Sequence, residues 1–409
     1  MNHFGFIYLG VFFLIISIFS FLHIIYSYYF NLYLNIDSYI YLLFVSLFVG
    51  IFLNYKKKEE KKITIFEKIF VVLFGYLIIP LLIATPYYLS IYNITFLDCY
   101  FEAISGFTST GFTVFDNIKQ IDTSLILWRS ASQWIGGLYF LFSLLLLIDI
   151  FDDKLKQSVT NYITFNSSEI KKQSLKIIIL YAFLTLIIFL LLKLINLRTF
   201  DAYNFSLTII SSGGFLSVNN FDSLFFSDLS KIILSISILF SYFSLFFTYN
   251  LFFYKKRDIN FLSEDFNLII YLFFIISFVF IFFNPDNNFL SILVSIVSSV
   301  SNLGISLSDT PKNLSFIFLI LVIIGGSFFS TSSGLRVIKI LSLIKFSINN
   351  LLSHTKPNQI YSNKVSLIES NTDASDINKY FLSIIIFIFS LFLITILLTI
   401  SSLDFEASF

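Results

Sequence analysis

Three short runs of small hydroxyl, amide and glycine residues interrupt a chain otherwise rich in apolar side chains: Thr108-Ser109-Thr110-Gly111, Ser211-Ser212-Gly213 and Ser301-Asn302-Leu303-Gly304. None of them sets a nucleophile beside a His or Lys base at useful spacing. The chemistry they offer is that of the backbone. An extended run of this kind lines up carbonyl oxygens that replace a cation's hydration shell, and Gly111, Gly213 and Gly304 permit the backbone angles such a run requires. The candidate cation ligands are the carbonyls of Ser109, Thr110 and Gly111, of Ser211, Ser212 and Gly213, and of Asn302, Leu303 and Gly304, with Thr108 at the head of the first run.

Each run must be positioned by the segment before it. "TFLDCYFEAISGFTSTGFTV" from Thr95 and "TFDAYNFSLTIISSGGFLSV" from Thr199 both open Thr-Phe, place an Asp and then a Tyr ahead of a short apolar helix, and end in hydroxyls, glycine and an aromatic. "NNFLSILVSIVSSVSNLGISLSD" from Asn287 keeps the same order. A helix from Asp98 to Phe107, rising about 1.5 Å per residue, crosses only about half of the hydrocarbon. Non-helical backbone at that depth is tolerable only where protein buries it or where it lines a watery cavity. Asp98 is expected to cap the helix and Glu102 to favour the positive end of its dipole. The C-terminal ends, carrying partial negative charge, then point to mid-membrane and favour a cation where several converge. One such run alone marks close helix packing; three at equal topological positions argue for a shared axis.

Composition agrees with a membrane location. The 409 residues are 57% hydrophobic and 12% charged, with mean hydropathy +0.88, leaving too little polar surface to cover a soluble globule. A net charge of +1 without a basic face gives no sign of nucleic-acid binding. The single Cys99 excludes an intrachain disulfide framework and a Cys-based metal cluster, and His3, His23 and His354 are too scattered to suggest one. No organic cofactor is expected. The opening "MNHFGFIYLGVFFLIISIFSF" lacks a basic start and a small-residue cleavage site, so it reads as a retained span.

Nine spans are expected, near 4–30, 39–53, 69–90, 128–150, 177–197, 232–253, 266–283, 314–345 and 380–400. Connections after the second, fourth, sixth and eighth hold most Lys and Arg, among them Lys56, Lys57, Lys58, Lys154, Lys255 and Arg257. Those connections, and the N-terminus, are therefore expected on the cytoplasmic side. The eighth span is broken by Gly325-Gly326-Ser327 and by Ser330-Thr331-Ser332-Ser333-Gly334, residues that favour turns and side-chain-to-backbone bonding. A mobile constriction beneath the runs fits that composition, as does a plain helix kink. Arg336 and Lys339, just after it, read as topology anchors.

With these motifs in view, the chain resembles the bacterial Trk/Ktr-type potassium transporters, specifically the TrkH-like pore subunit, over essentially its whole length. "FEAISGFTSTGFT" resembles that family's first filter and "SSGGF" at 211–215 its second. "WRSASQWIGGLYF", with Arg129, Gln133, Trp134, Gly136 and Gly137, resembles the helix after the first filter, and "IGGSFFSTSSGLRVIKILSLIKF" the broken helix with its gating loop. The resemblance implies an all-α polytopic membrane protein of span/pore-helix/span repeats about a pseudo-fourfold pore axis, preceded by two extra spans. It implies potassium at the filter carbonyls as cargo, residence among lipid in the bacterial inner membrane, a homodimer, and a cytosolic nucleotide-binding regulatory subunit of the TrkA kind. The units would be 1–62 for the two N-terminal helices, 63–160, 161–258 and 259–350 for pore repeats one to three, and 351–409 for a cytoplasmic loop and the first span of an incomplete fourth repeat.

The third filter's Ser-Asn-Leu-Gly, and Phe328 and Phe329 in the gating loop, depart from the family's usual hydroxyl and small residues. The closing "LDFEASF" from Leu403 resembles the opening of the first pore helix, so a further filter and span are expected beyond Phe409. Without them the chain is expected not to conduct selectively by itself, and a truncated relic is one alternative reading. Others are a Ktr-like sodium-dependent or sodium-permeable transporter, a secondary transporter, against which the same-side entry of all three copies argues, and an intramembrane enzyme.

Overall fold

The computed structural model describes residues 6–55, 64–147, 170–248, 259–283, 289–307, 310–355 and 374–401. The lysine clusters at 56–62, 154–156 and 255–257 and the closing "LDFEASF" lie outside them. The described residues are helical, without a strand. In chain order the helices are α1 (Phe6–Tyr29), α2 (Ile36–Tyr55), α3 (Ile65–Ile83), α4 (Phe96–Phe107), α5 (Thr123–Leu146), α6 (Ile170–Leu194), α7 (Thr199–Ile210), α8 (Asp228–Tyr242), α9 (Ile259–Phe283), α10 (Phe289–Val300), α11 (Ser315–Ile324), α12 (Val337–Thr355) and α13 (Ala374–Ile400). Six stretches, in α1, α2, α3, α6, α9 and α13, are long and apolar enough to cross a membrane by length and composition. The chain is a helical polytopic membrane protein.

Local sequence explains where these helices begin. Thr64 and Glu67 form a reciprocal capping box on α3, and Ser227 caps α8 by accepting from the Ser230 amide at 3.2 Å. At α4 the cap is Thr95, whose hydroxyl accepts from the Asp98 amide. Asp98 itself is not the cap; its carboxylate accepts from the Thr95 hydroxyl at 2.6 Å. A threonine at the helix boundary takes the cap expected of Asp98, whose carboxylate orients the threonine hydroxyl instead.

The core is organised around α5. Every residue from Ser124 to Tyr139 is buried. The hairpin of α1 and α2 covers one side, with Phe12 edge-on to Tyr139 at 4.9 Å and to Phe142 at 5.1 Å. Each such aromatic pair contributes about 1 kcal/mol beyond the area it buries. Three large side chains of α5 pair their polar tips: Trp128 donates to the Ile83 carbonyl at 3.0 Å, Trp134 to the Thr185 hydroxyl at 2.9 Å and Tyr139 to the Val72 carbonyl at 3.0 Å. These bonds span α3, α5 and α6, and an unpaired group there would cost about 1–3 kcal/mol. A second cluster, including Tyr242, Leu268, Ile292, Ile296, Leu321 and Val337, joins α8 to α12 around α10.

Candidate ion-coordinating centre

The three short helices α4, α7 and α10 end alike. After α4, Thr108 sits near φ −86°, ψ 1° and Ser109 turns to φ 56°; after α7, Ser211 sits near −89°, 1° and Ser212 turns to 54°; after α10, Asn302 turns to 60°. The amide three residues past each helix bonds back five residues: Thr110 to Ser105 at 2.9 Å, Gly213 to Thr208 at 2.8 Å and Leu303 to Ser298 at 3.0 Å. A bond back three residues precedes each, Ser109 to Gly106, Ser212 to Ile209 and Asn302 to Ser299. This is the Schellman closure, in which a left-handed residue, usually Gly, stops the helix. Here Ser or Asn occupies that place, at a cost of about 1–2 kcal/mol for each serine.

The repeated bonding sets the register. Ser109, Ser212 and Asn302 are equivalent, so Gly111, Gly214 and Gly304 are equivalent, and Gly213 stands where Thr110 and Leu303 do. The sequence reading paired Gly213 with Gly111; adjacent glycines in "SSGGF" made either choice fit. A hydroxyl six residues before each glycine, Ser105, Thr208 and Ser298, was the signal that separates them. The three runs meet at Gly214, where a Cβ would lie 3.3 Å from the Gly111 Cα, 3.4 Å from the Leu303 carbonyl oxygen and 3.9 Å from that of Thr110.

Buried groups hold the runs from behind. Glu102, expected to serve the helix dipole, instead accepts from Arg129 Nε at 2.7 Å, from the Thr113 hydroxyl at 3.1 Å and from the Val114 amide at 3.0 Å. Asp201 does the same for the second run, accepting from the Ser217 hydroxyl at 2.8 Å, and Ser298 for the third, accepting from the Ile305 amide at 2.8 Å. The Gln133 side-chain oxygen, in the amide orientation that satisfies its neighbours, accepts from the Gly214 and Phe215 amides, both at 3.1 Å. Gly136 and Gly137 of α5 let the helix ends approach: a Cβ on Gly136 would collide with the Phe107 carbonyl, and one on Gly137 would lie 3.0 Å from the Ser211 Cα.

Beneath the runs lies the break between α11 and α12. Residues 325–336 leave the helix axis and return, with the Leu335 amide bonding to the Ile323 carbonyl at 2.9 Å and that of Arg336 to Ile324 at 2.8 Å. Gly325 (φ 68°) and Gly334 (φ 110°) pinch the neck, where a Cβ on either would strike the other's backbone. The loop is held from α8 by Ser327 N to the Tyr242 carbonyl at 3.0 Å, and Phe329 accepts from the Leu245 amide at 2.9 Å. It touches the runs directly: Ser212 and Thr331 hydroxyls are 3.2 Å apart, and Asn302 Nδ2 donates to Ser333 Oγ at 2.5 Å. Between them is a cavity of about 160 Å³ whose lining includes Thr108, Ser109, Ser211, Ser212, Asn302, Thr331 and Ser333.

Phe328 and Phe329 are buried and do not line that cavity; Phe329 stacks on Phe246 at 4.9 Å. One expectation for this region changes. Arg336 is no solvated anchor: it is 7% exposed, takes φ 75°, and donates from Nη1 to the Ser327 carbonyl and, at 3.0 Å, to that of Ser332. Sequence also gave no notice of Asp265, fully buried on α9, which accepts from the Ser244 amide at 3.1 Å and hydroxyl at 2.8 Å where the chain leaves α8 for the loop's flank.

No family model matches the chain. An uncharacterised cation transporter of Methanocaldococcus jannaschii is 26% identical over 382 residues, covering 90% of this chain and 77% of that protein. The Trk system potassium uptake protein TrkH of Escherichia coli K12 is 25% identical over 342 residues, 79% of this chain and 71% of that protein. The crystal structure of the potassium transporter TrkH from Vibrio parahaemolyticus superposes with TM-score 0.75 at 20% identity, covering 98% of this chain and 85% of that one.

Proposed function

We propose that this chain, TrkH-like in sequence and in fold, carries potassium into the cell through a pore whose walls are the runs after α4, α7 and α10. By its relatives the chain is a transporter and not an enzyme. The observation that carries the reading is the convergence at Gly214 of three runs with one closure geometry, over an intramembrane loop that bonds to two of them. Carbonyls of 109–111, 212–214 and 302–304 replace the ion's hydration water, and the negative ends of three helix dipoles favour a cation below them. The loop 325–336 is the gate: in the conformation described it closes the space under the runs, and transport requires it to move. The units 63–160, 161–258 and 259–350 each supply one wall.

The remaining assignments follow the resemblance: inner-membrane residence with the N-terminus cytoplasmic, assembly as a homodimer, and control by a cytosolic nucleotide-binding subunit. The test is rubidium uptake by a potassium-uptake-deficient bacterium expressing the protein from its full reading frame. Uptake that potassium competes for, and that Gly111→Val and Gly214→Val abolish at equal protein level, supports the reading. Uptake competed by sodium and not potassium moves the cargo to sodium, and uptake indifferent to both substitutions overturns the filter assignment.

A further inference from the structure

We infer that the buried Glu102–Arg129 pair determines ion selectivity by locking the first run to the second, a role that rests on the reading of those runs as a filter. The pair is out of reach of solvent, at 0% and 1% exposure, and lies behind the runs. Its bonds are distributed over both. On the first run, Glu102 holds the Thr113 hydroxyl and the Val114 amide, and Arg129 Nη2 donates to that same Thr113 hydroxyl at 3.0 Å. On the second, the Arg129 guanidinium lies over the ring of Phe215, 4.2 Å from its centre, one residue past Gly214. One helical turn further along α5, Gln133 accepts the amides of Gly214 and Phe215.

The guanidinium is thus a rigid plate with its edge on one run and its face on the next. Burying such a pair is weak evidence for stability, because desolvation offsets much of the attraction. What it supplies is geometry: Nε and Nη2 are fixed in one plane, so the Thr113–Val114 exit of the first run and the Phe215 exit of the second cannot shift independently. Arg129 Nη1 has no hydrogen-bond partner, so the rings of Phe215 and, at 5.6 Å, Phe115 add to the compensation that Glu102 gives the charge. Among the described residues the third run has no such plate; its exit is tied to its helix by the Ile305 amide donating to the Ser298 hydroxyl. Discrimination between cations of different size depends on the spacing and stiffness of the carbonyls, and the pair governs both for the two runs that touch at Gly111 and Gly214. Arg129 and Glu102 act as positioning residues, touching no ion.

The experiment compares rubidium with sodium uptake by the full-length protein in the same deficient cells, as a ratio at matched membrane protein level. Arg129→Lys keeps the charge and loses the plate; Thr113→Val removes the shared hydroxyl and leaves both buried charges in place, so it is expected to fold. The expected result is a rubidium-to-sodium ratio about tenfold lower for Arg129→Lys and several-fold lower for Thr113→Val, the scale on which small misplacements of a site are felt. Uptake that falls only in proportion to protein level, with the ratio unchanged in both variants, overturns the proposal. Absence of any cation uptake by the unsubstituted protein overturns the transport reading itself and is distinguished by that control.

Discussion

Arg336 Nη1 and the Ser332 carbonyl, 3.0 Å apart, close the intramembrane loop upon itself: a charged residue at the loop's end bonds a carbonyl four residues earlier in its interior. The same atom reaches Ser327, so one guanidinium spans the loop's width. It does so from a left-handed backbone angle that a bulky residue adopts only under restraint.

Loss of that staple should free the loop proposed above as the gate. Hydrogen bonds from a charged donor contribute about 1.5–3 kcal/mol each, so Arg336→Gln is expected to shift the open-to-closed balance by about tenfold or more. Rubidium uptake in potassium-deficient cells should rise in initial rate at equal protein level. A fall in rate with intact protein would refute this.

Asparagine should separate two glycines that share a backbone angle. Gly304 has φ 75° and nothing within 4 Å of where a Cβ would stand, whereas Gly111, at φ 85°, faces the Gly214 backbone. Asn tolerates the left-handed region and β-branched residues do not. Gly304→Asn is therefore expected to retain uptake, Gly304→Val to lose most of it, and Gly111→Asn to lose it as well; three uptake measurements decide the point.

Gly136→Ala places a methyl group against the Phe107 carbonyl at the end of α4. Backbone on both sides leaves little room to yield, and overpacking of this kind costs about 1–3 kcal/mol. The purified protein in detergent should lose several degrees of Tm, and uptake should fall with it. An unchanged Tm would mean that α4 and α5 move apart freely.

Asp265→Ala leaves the Ser244 amide and hydroxyl without their acceptor in a buried site. The expected loss is about 1–3 kcal/mol, read as a lower Tm. Asp265→Asn keeps an acceptor oxygen and should recover part of it.

Much of this arrangement was legible in sequence because repetition amplifies weak signals. The helix-then-hydroxyl order at 95, 199 and 287 located all three runs, and even Asn302-Leu303, an odd pair by composition, adopts the backbone of its counterparts. The register at Gly213 and Gly214 was not legible from the glycines, since two neighbours of the same type carry no phase. Arg336 was misjudged for another reason. Position at the end of an apolar stretch fixes where a Cα lies along the membrane normal but not which way seven side-chain atoms turn, and here the loop's carbonyls, brought together by the Gly325–Gly334 neck, outcompete water. Asp265 and Glu102 likewise reveal their roles only through partners distant in sequence.

The burial of α5 carries a consequence for biogenesis. Its Arg129 and Gln133, and its hydroxyls, keep it outside the set of helices apolar enough to cross a membrane alone. An arginine seven residues into this 24-residue helix opposes release into lipid from the insertion channel, by less than the ~2.5–3.5 kcal/mol it would cost at the helix centre. The compensation resides in Glu102 on α4, which emerges from the ribosome earlier, so pairing with that short helix is what offsets the cost of placing α5 in lipid.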